Sequence, residues 1–209
     1  MTPPGDIAAR ICPRVLEAPR QGRRRLVALA GQPASGKTTL AECLARALCE
    51  AGCVASVVPM DGFHLHNQIL LDRDSLNRKG APHTFDAAGF LSLVSRLHNE
   101  EEVFYPLFER DRDISVACAG RVGPECDTVV IEGNYLLFDA PVWRELAPHW
   151  DLSIRLDVPL ATLEERLVQR WLDHGLSPEQ AAERAAGNDL ANARAVARHT
   201  LEADILLSA

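Results

Sequence analysis

Lysine is almost missing from this chain: of 22 basic residues only Lys37 and Lys79 are lysines, and the rest are arginines. Such a bias suggests that lysine is kept where a compact ammonium is needed, and it marks both positions as candidate functional residues. Positive charge as a whole is in deficit. The formal net charge of -7 argues against a general binder of nucleic acid or anionic membranes, which needs a cationic footprint. It leaves room for a local basic pocket. No apolar run approaches the ~18 residues that span a bilayer. Met1-Thr-Pro-Pro-Gly5 lacks a charged segment followed by an apolar one, so no secretory signal is expected and a cytoplasmic address follows by default. The six cysteines (Cys12, Cys43, Cys49, Cys53, Cys118 and Cys126) form no C-x-x-C pair. They are expected to be buried thiols rather than metal or disulfide sites.

What remains is ordinary for a globular protein: 209 residues, 47% hydrophobic and 24% charged, enough for one domain with a substantial core. Ile7, Ile11, Val15 and Leu16 recur at helical spacing, so a leading helix is expected within residues 1–23. Leu26–Ala30 is an apolar run of strand length. Leu40, Cys43, Leu44, Ala47 and Leu48 then return to helical spacing, with Gly52 placed to stop the helix. Strands are expected at Val54–Pro59, Thr128–Ile131, Leu152–Val158 and Ile205–Leu207, and helices near 86–98, 160–174, 178–186 and 190–200. Residues 62–85 are polar and glycine-bearing, an expected excursion on the substrate side. Strands alternating with helices predict an α/β fold in three layers, a five-stranded parallel sheet covered on both faces. Neither an internal repeat nor a low-complexity segment interrupts it.

Between the first strand and the following helix lies Gly31-Gln32-Pro33-Ala34-Ser35-Gly36-Lys37-Thr38, with Thr39 next. It matches G-x-x-x-x-G-K-[ST] in full and in the right context. Backbone amides must converge on phosphate oxygens, and glycine permits dihedrals and approaches that a Cβ blocks. The helix N-terminus adds partial positive charge. Lys37 is placed to neutralise the β- and γ-phosphates, and the Thr38 hydroxyl to ligate Mg2+. The second strand ends Met60-Asp61-Gly62-Phe63-His64, and the third runs into Glu132-Gly133-Asn134-Tyr135. Both put a carboxylate where a buried strand emerges, which is where open α/β sheets bind ligands. The N-K-x-D pattern that reads guanine is absent.

These motifs, together with R-K-G-A-P-x-T-F-D, E-G-N-Y-L-L, R-W-L-D-H-G and G-N-D-L-x-N-A-R, resemble the phosphoribulokinase and uridine kinase family of P-loop kinases. That family includes bacterial pantothenate kinases, and the wording is similar to a branch labelled nucleoside/nucleotide or fructose transport system kinase. The likeness runs from about residue 24 to the end. It implies ATP with Mg2+ as the phosphoryl source and a hydroxyl of a small metabolite as the acceptor. It also implies a P-loop NTPase fold with a small helical lid at about 162–190. Asp61 would be the base that takes the hydroxyl proton, and can reach the Mg2+ shell through water. Glu132 would support that shell. Arg166 and Arg170, on one face of the lid helix, would stabilise the moving phosphoryl group, and Asn188 and Asn192 would lie near the substrate. A homodimer is compatible with the likeness.

Tyr105–Arg110 falls where uridine kinases line the acceptor pocket, and there the chain departs. Phe108 replaces a tyrosine and offers no hydrogen bond; Arg110 stands where pantothenate kinases carry a histidine. These changes weaken uridine and pantothenate as acceptors and hint at an anionic or polyol one. His64 and His66 make His-x-His without further ligands, so His64 is expected in the acceptor pocket rather than on zinc. Lys79 is expected to face the substrate. A nucleotide-binding regulator or transport-accessory ATPase is the rival reading, and a base on the acceptor side is what such a protein does not need.

Overall fold

The computed structural model describes residues 2–208. Helix α1 (Pro4–Glu17) starts on a proline, whose fixed φ and missing N–H suit a first turn. It buries Ala8, Ile11, Cys12 and Val15. Strand β1 (Arg25–Gly31) is buried along nearly its whole length, as a central parallel strand must be. Helix α2 (Lys37–Glu50) turns Leu40, Ala41, Leu44 and Leu48 onto it. Strand β2 (Ala55–Pro59) follows, then a 3-10 turn over Met60–Phe63 and a short helix α3 (Asn67–Asp72). Helix α4 (Ala87–Asn99) is N-capped by Asp86, whose carboxylate accepts from the Gly89 amide at 2.9 Å.

Strands β3 (Val103–Glu109) and β4 (Ile114–Val122) form a separate antiparallel pair. Strand β5 (Thr128–Gly133) and strand β6 (Leu152–Asp157) return to the main sheet. Helices α5 (Leu160–Asp173), α6 (Pro178–Arg184) and α7 (Leu190–Arg198) precede the last strand, β7 (Ile205–Ser208). The five-stranded sheet is parallel throughout, in the order β2-β5-β1-β6-β7. From central β1 the chain first steps out to the β2 edge, then works back across, so the strand order reverses beside the carboxyl end of β1. Such a switch point is where open α/β sheets leave a crevice. One core layer packs α1 and α2 against one face. The other sets Phe90, Tyr135, Phe138 and Trp143 against the opposite face.

The expected strands and helices are present, with three differences. The β3–β4 hairpin was not expected. Its first strand carries Pro106, a residue that marks strand edges and bulges, and the register shifts there, between Tyr105 and Leu107. Residues 62–85 are more ordered than their composition suggests, holding α3 and short 3-10 turns. Helices α6 and α7 are joined without a break by a π-helical turn over Ala185–Asp189.

Two contacts fix the hairpin. The Tyr105 hydroxyl donates to the Val57 carbonyl at 3.2 Å. At Gly62 the backbone passes so close to the Pro106 carbonyl that any Cβ would overlap it. Elsewhere the fully buried Arg24 guanidinium donates to the carbonyls of Leu97 (3.1 Å), Glu100 (2.6 Å), Gly123 (3.0 Å) and Glu101. A cation at the C-terminal end of α4 also meets the negative end of that helix.

Candidate active site

The phosphate loop sits at the carboxyl end of β1. Gly36 adopts φ 91°, in the left-handed region that glycine enters freely, and caps α2 without a side chain. No acidic residue lies in the first turn of α2. Its leading amides therefore open into the loop's hollow, as an anion site requires. Gln32 is buried and, with Asn134, Arg155 and Asp157, lines a cavity of about 140 Å3 beneath α7, so this residue offers phosphate only its backbone. Ser35 is buried, and Thr38 and Thr39 are exposed at the head of α2.

Strand register places the carboxylates. Glu132 pairs with Pro59 of β2 on one side and Leu29 of β1 on the other. Its side chain is nearly fully buried and accepts from the Thr38 hydroxyl at 3.2 Å. Burial drives the Glu132 carboxyl above the ordinary range and the nearby Asp61 charge adds to that. Lys37, the Thr38 hydrogen bond and Arg110 pull the other way. Asp61, two residues past Pro59, points into the same region, and its Oδ2 accepts from Arg110 Nη2 at 3.0 Å.

Around Asp61 the chain packs an aromatic wall. The His64 ring lies between Phe85 (centroids 4.0 Å apart) and Phe108 (4.6 Å). Its Nδ1 is 2.7 Å from the Asp61 carbonyl; a carbonyl only accepts, so Nδ1 carries the proton. Burial pushes His64 below its ordinary value despite the attraction of Asp61. His66 does not line this wall: it is exposed and accepts from the Gln68 amide at 3.2 Å, capping α3.

Lys79 reaches Asn67 Oδ1 (2.7 Å), the Asp113 carbonyl (2.9 Å) and the Asp113 carboxylate (2.8 Å), and lies 5.0 Å from the centre of the Phe108 ring. All three ammonium donors are thus engaged within the chain. A direct contact from Lys79 to a substrate would require one of them to be given up. Burial would raise the Asp113 carboxyl, but hydrogen bonds from Lys79 and Asn67 outweigh it and hold it low.

Helices α5 to α7 close the remaining side. Arg166 donates to the Ala34 and Ser35 carbonyls (3.2 and 3.3 Å), tying α5 to the phosphate loop. Arg170, one turn on, makes no side-chain hydrogen bond or ion pair among the described residues; its guanidinium lies 5.9 Å from the Trp171 ring. Burial lowers its pKa, and Arg110 lowers it further. Asn188 donates to the Lys79 carbonyl at 2.7 Å and buried Asn192 to Asn188 at 3.4 Å, so both asparagines hold the 76–80 turn against the π-helical turn.

Sequence reasoning missed Asn67, Asp113, Asp189 and Tyr135 as parts of this region. Asp189 accepts from Trp171 Nε1 at 2.8 Å, and the Tyr135 hydroxyl donates to the Gly80 carbonyl at 2.6 Å. Tyr135 had a signal, its place just after the third-strand carboxylate. Asp113 had none, because its role depends on the unforeseen hairpin.

A glycine-rich phosphate loop at the centre of a parallel sheet, with carboxylates at the ends of β5 and β2 on one side of it, defines a P-loop kinase. No protein-family model matches the chain. A Schizosaccharomyces pombe protein named as a candidate uridine kinase is 33% identical over 204 residues, covering 93% of this chain and 87% of its own. Escherichia coli YggC is 34% identical over 188 residues, covering 88% and 78%. The crystal structure of a candidate fructose transport system kinase from Silicibacter sp. TM1040 shares 58% identity over 99% of each chain, with a TM-score of 0.94. The chain belongs to the phosphoribulokinase and uridine kinase family of P-loop kinases, which use ATP. Among the described residues no helix is long and apolar enough to cross a membrane.

Proposed function

We propose that this kinase transfers the γ-phosphoryl group of ATP to a hydroxyl of a small metabolite: a sugar such as fructose, a nucleoside, or a related compound. The observation that carries this reading is the placement of Asp61. It stands at the carboxyl end of β2, beside the Glu132–Thr38 pair, on the side of the phosphate loop walled by the hairpin and α3. A protein that only binds nucleotide has no use for a carboxylate there.

The residues divide the work. Backbone amides of Gly31–Thr38 and the head of α2 hold the phosphates, and Lys37 neutralises charge on them. The oxygens of Thr38 and Glu132, with Asp61 through water, suit Mg2+. Mg2+ characteristically keeps several waters and binds substrate phosphates, so it needs few protein ligands. When bound, the ion supplies charge neutralisation to the phosphates. Asp61 takes the acceptor's proton as that oxygen forms its bond to the γ-phosphorus. The bond from phosphorus to the β–γ bridging oxygen breaks, and ADP leaves with the electron pair. Helices α5 and α6 would act as the lid, with Arg166 anchoring it and Arg170 meeting the phosphoryl group on closure.

The test is ADP release measured with Mg-ATP over a panel of sugars, nucleosides and pantothenate. At least one acceptor should raise the rate well above hydrolysis by water alone. If none does, the chain is a nucleotide-binding regulator instead.

A further inference from the structure

We infer that Arg110 reads an anionic group on the acceptor and, when no such acceptor is bound, restrains Asp61, so that the substrate is a hydroxyl compound bearing a carboxylate or a phosphate. This rests on the kinase reading above and narrows it. Arg110 spends a single Nη2 donor on Asp61 Oδ2, at 3.0 Å; the fork has four more N–H groups. The pair is open to water, with 55% of the Arg110 side chain and 24% of Asp61 exposed. Exposed pairs of this kind are weak and readily exchanged. A carboxylate or phosphate presented in two-point geometry is a better partner than one oxygen of Asp61.

The arm is nevertheless held in place at its base. Arg110 sits at the mouth of the β3–β4 turn, where its carbonyl accepts from the Asp113 amide at 3.2 Å. The Asp113 carboxylate is pinned by Lys79 and by Asn67, both at 2.8 Å. The turn is thus fixed while the guanidinium is free to swing. Across the cleft stands Arg170, which has no ion pair among the described residues and is close enough to feel the Arg110 charge. Arg170 also feels the charges of Asp61 and Asp189, but neither carboxylate is bonded to its guanidinium among the described residues, so its donors remain available to an incoming anion. Phe108 contributes no hydrogen bond to a neutral acceptor, whereas the arginines offer several donors to an anionic one.

The two states follow from one exchange. Without an anion, Arg110 holds Oδ2, one of the two Asp61 oxygens, and hydrolysis by water is held down. With one, Arg110 turns to the acceptor and frees the base as the hydroxyl arrives.

Matched pairs test this: D-glycerate against glycerol for the carboxylate, and fructose 6-phosphate against fructose for the phosphate. Each is assayed with wild type, Arg110→Gln and Arg110→Lys. One anionic member should show a KM about tenfold or more below its neutral partner. Arg110→Gln should abolish that preference mainly through KM, and Arg110→Lys should restore part of it. Without any acceptor, Arg110→Gln should hydrolyse ATP several-fold faster than wild type, a readout that needs no acceptor identified. Equal KM values within both pairs, or an unchanged preference in Arg110→Gln, would overturn the inference while leaving the kinase reading intact. Should neither these compounds nor any of the wider panel be phosphorylated, the kinase reading fails. Acceptor-free hydrolysis that is unchanged in Arg110→Gln then overturns the restraint as well, and a rise supports it.

Discussion

Around Gly31–Thr38 the binding chemistry is made of backbone. Amides converge because Gly36 is left-handed and α2 has no side-chain cap, and the loop follows a strand buried along almost all of its length. Around Asp61 it is made of side chains. There Arg110, Lys79, Asn67, Asp113 and Asn188 come from four separate stretches of the chain and are held, with Asp61, by contacts of 2.7–3.0 Å. The first kind of site is specified by a short run of residues and accepts any nucleoside triphosphate tail. The second is specified by tertiary structure, and it is where relatives on one fold can diverge in substrate. A change on the phosphate side should therefore stop all turnover, whereas a change on the acceptor side should alter which substrate reacts and how fast.

The largest effect should come from the phosphate side. Lys37 starts α2, near enough to Glu132 for its charge to favour that carboxylate. A planar fork cannot take the place of a compact ammonium reaching between two phosphates. Lys37→Arg should lower phosphoryl transfer at least about a thousandfold. Steady-state turnover near the wild-type level would show that this lysine is not used as proposed.

Next comes Asp61, which belongs to both halves. Asparagine is nearly isosteric and keeps the loop's shape, but it does not accept a proton. Asp61→Asn should bind Mg-ATP within a few-fold of wild type and lose ~10²-fold or more of acceptor phosphorylation. Saturating Mg2+ removes any loss through the metal shell. A wild-type rate under those conditions would exclude Asp61 as the base.

The same contrast explains what was legible in the sequence. Periodicity and apolar runs gave the strands and helices of the main sheet because each is a local pattern, and the phosphate loop was legible because its chemistry lies within eight consecutive residues. Asp61 and Glu132 were found because strand ends can be located once strands are. The hairpin escaped because Pro106 interrupts its pattern and β4 has an exposed face rich in small residues. With it escaped Asp113, and so the reason for Lys79: scarcity singled out this lysine, but only tertiary structure shows that it secures the turn carrying Arg110. Asn188 and Asn192 were placed by family likeness, and their observed bonds join a π-helical turn to a loop 109 residues away, a pairing that no local pattern encodes.

A smaller effect is expected at Arg170, and it separates binding from chemistry. If this arginine meets the phosphoryl group only on lid closure, Arg170→Ala should lower turnover about tenfold to a hundredfold. It should change ATP affinity measured without acceptor by no more than a few-fold. Equal losses in both would assign Arg170 to ground-state binding and remove the distinction between an anchoring Arg166 and a closing Arg170.

The smallest effect is on stability, and it lies in the aromatic wall of the acceptor side. His64 is held neutral between Phe85 and Phe108, with its pKa pushed below the ordinary value by burial. The unfolded chain takes up a proton near that ordinary value of 6.5, whereas the folded chain does so only at lower pH. Protonation thus favours unfolding. The stabilisation from this residue is complete above about pH 6.5 and is lost as the pH falls toward the depressed folded value. His64→Phe keeps an aromatic ring in the stack and removes the titration, at the expense of the 2.7 Å bond to the Asp61 carbonyl. The variant should therefore melt somewhat lower than wild type at pH 7.5. Its further drop in Tm between pH 7.5 and pH 5.5 should be smaller, by a few degrees at most. An equal drop in the two proteins would mean that His64 opens to water and titrates as it does in the unfolded chain. The wall behind Asp61 would then be looser than the phosphate side by more than its side-chain construction already implies.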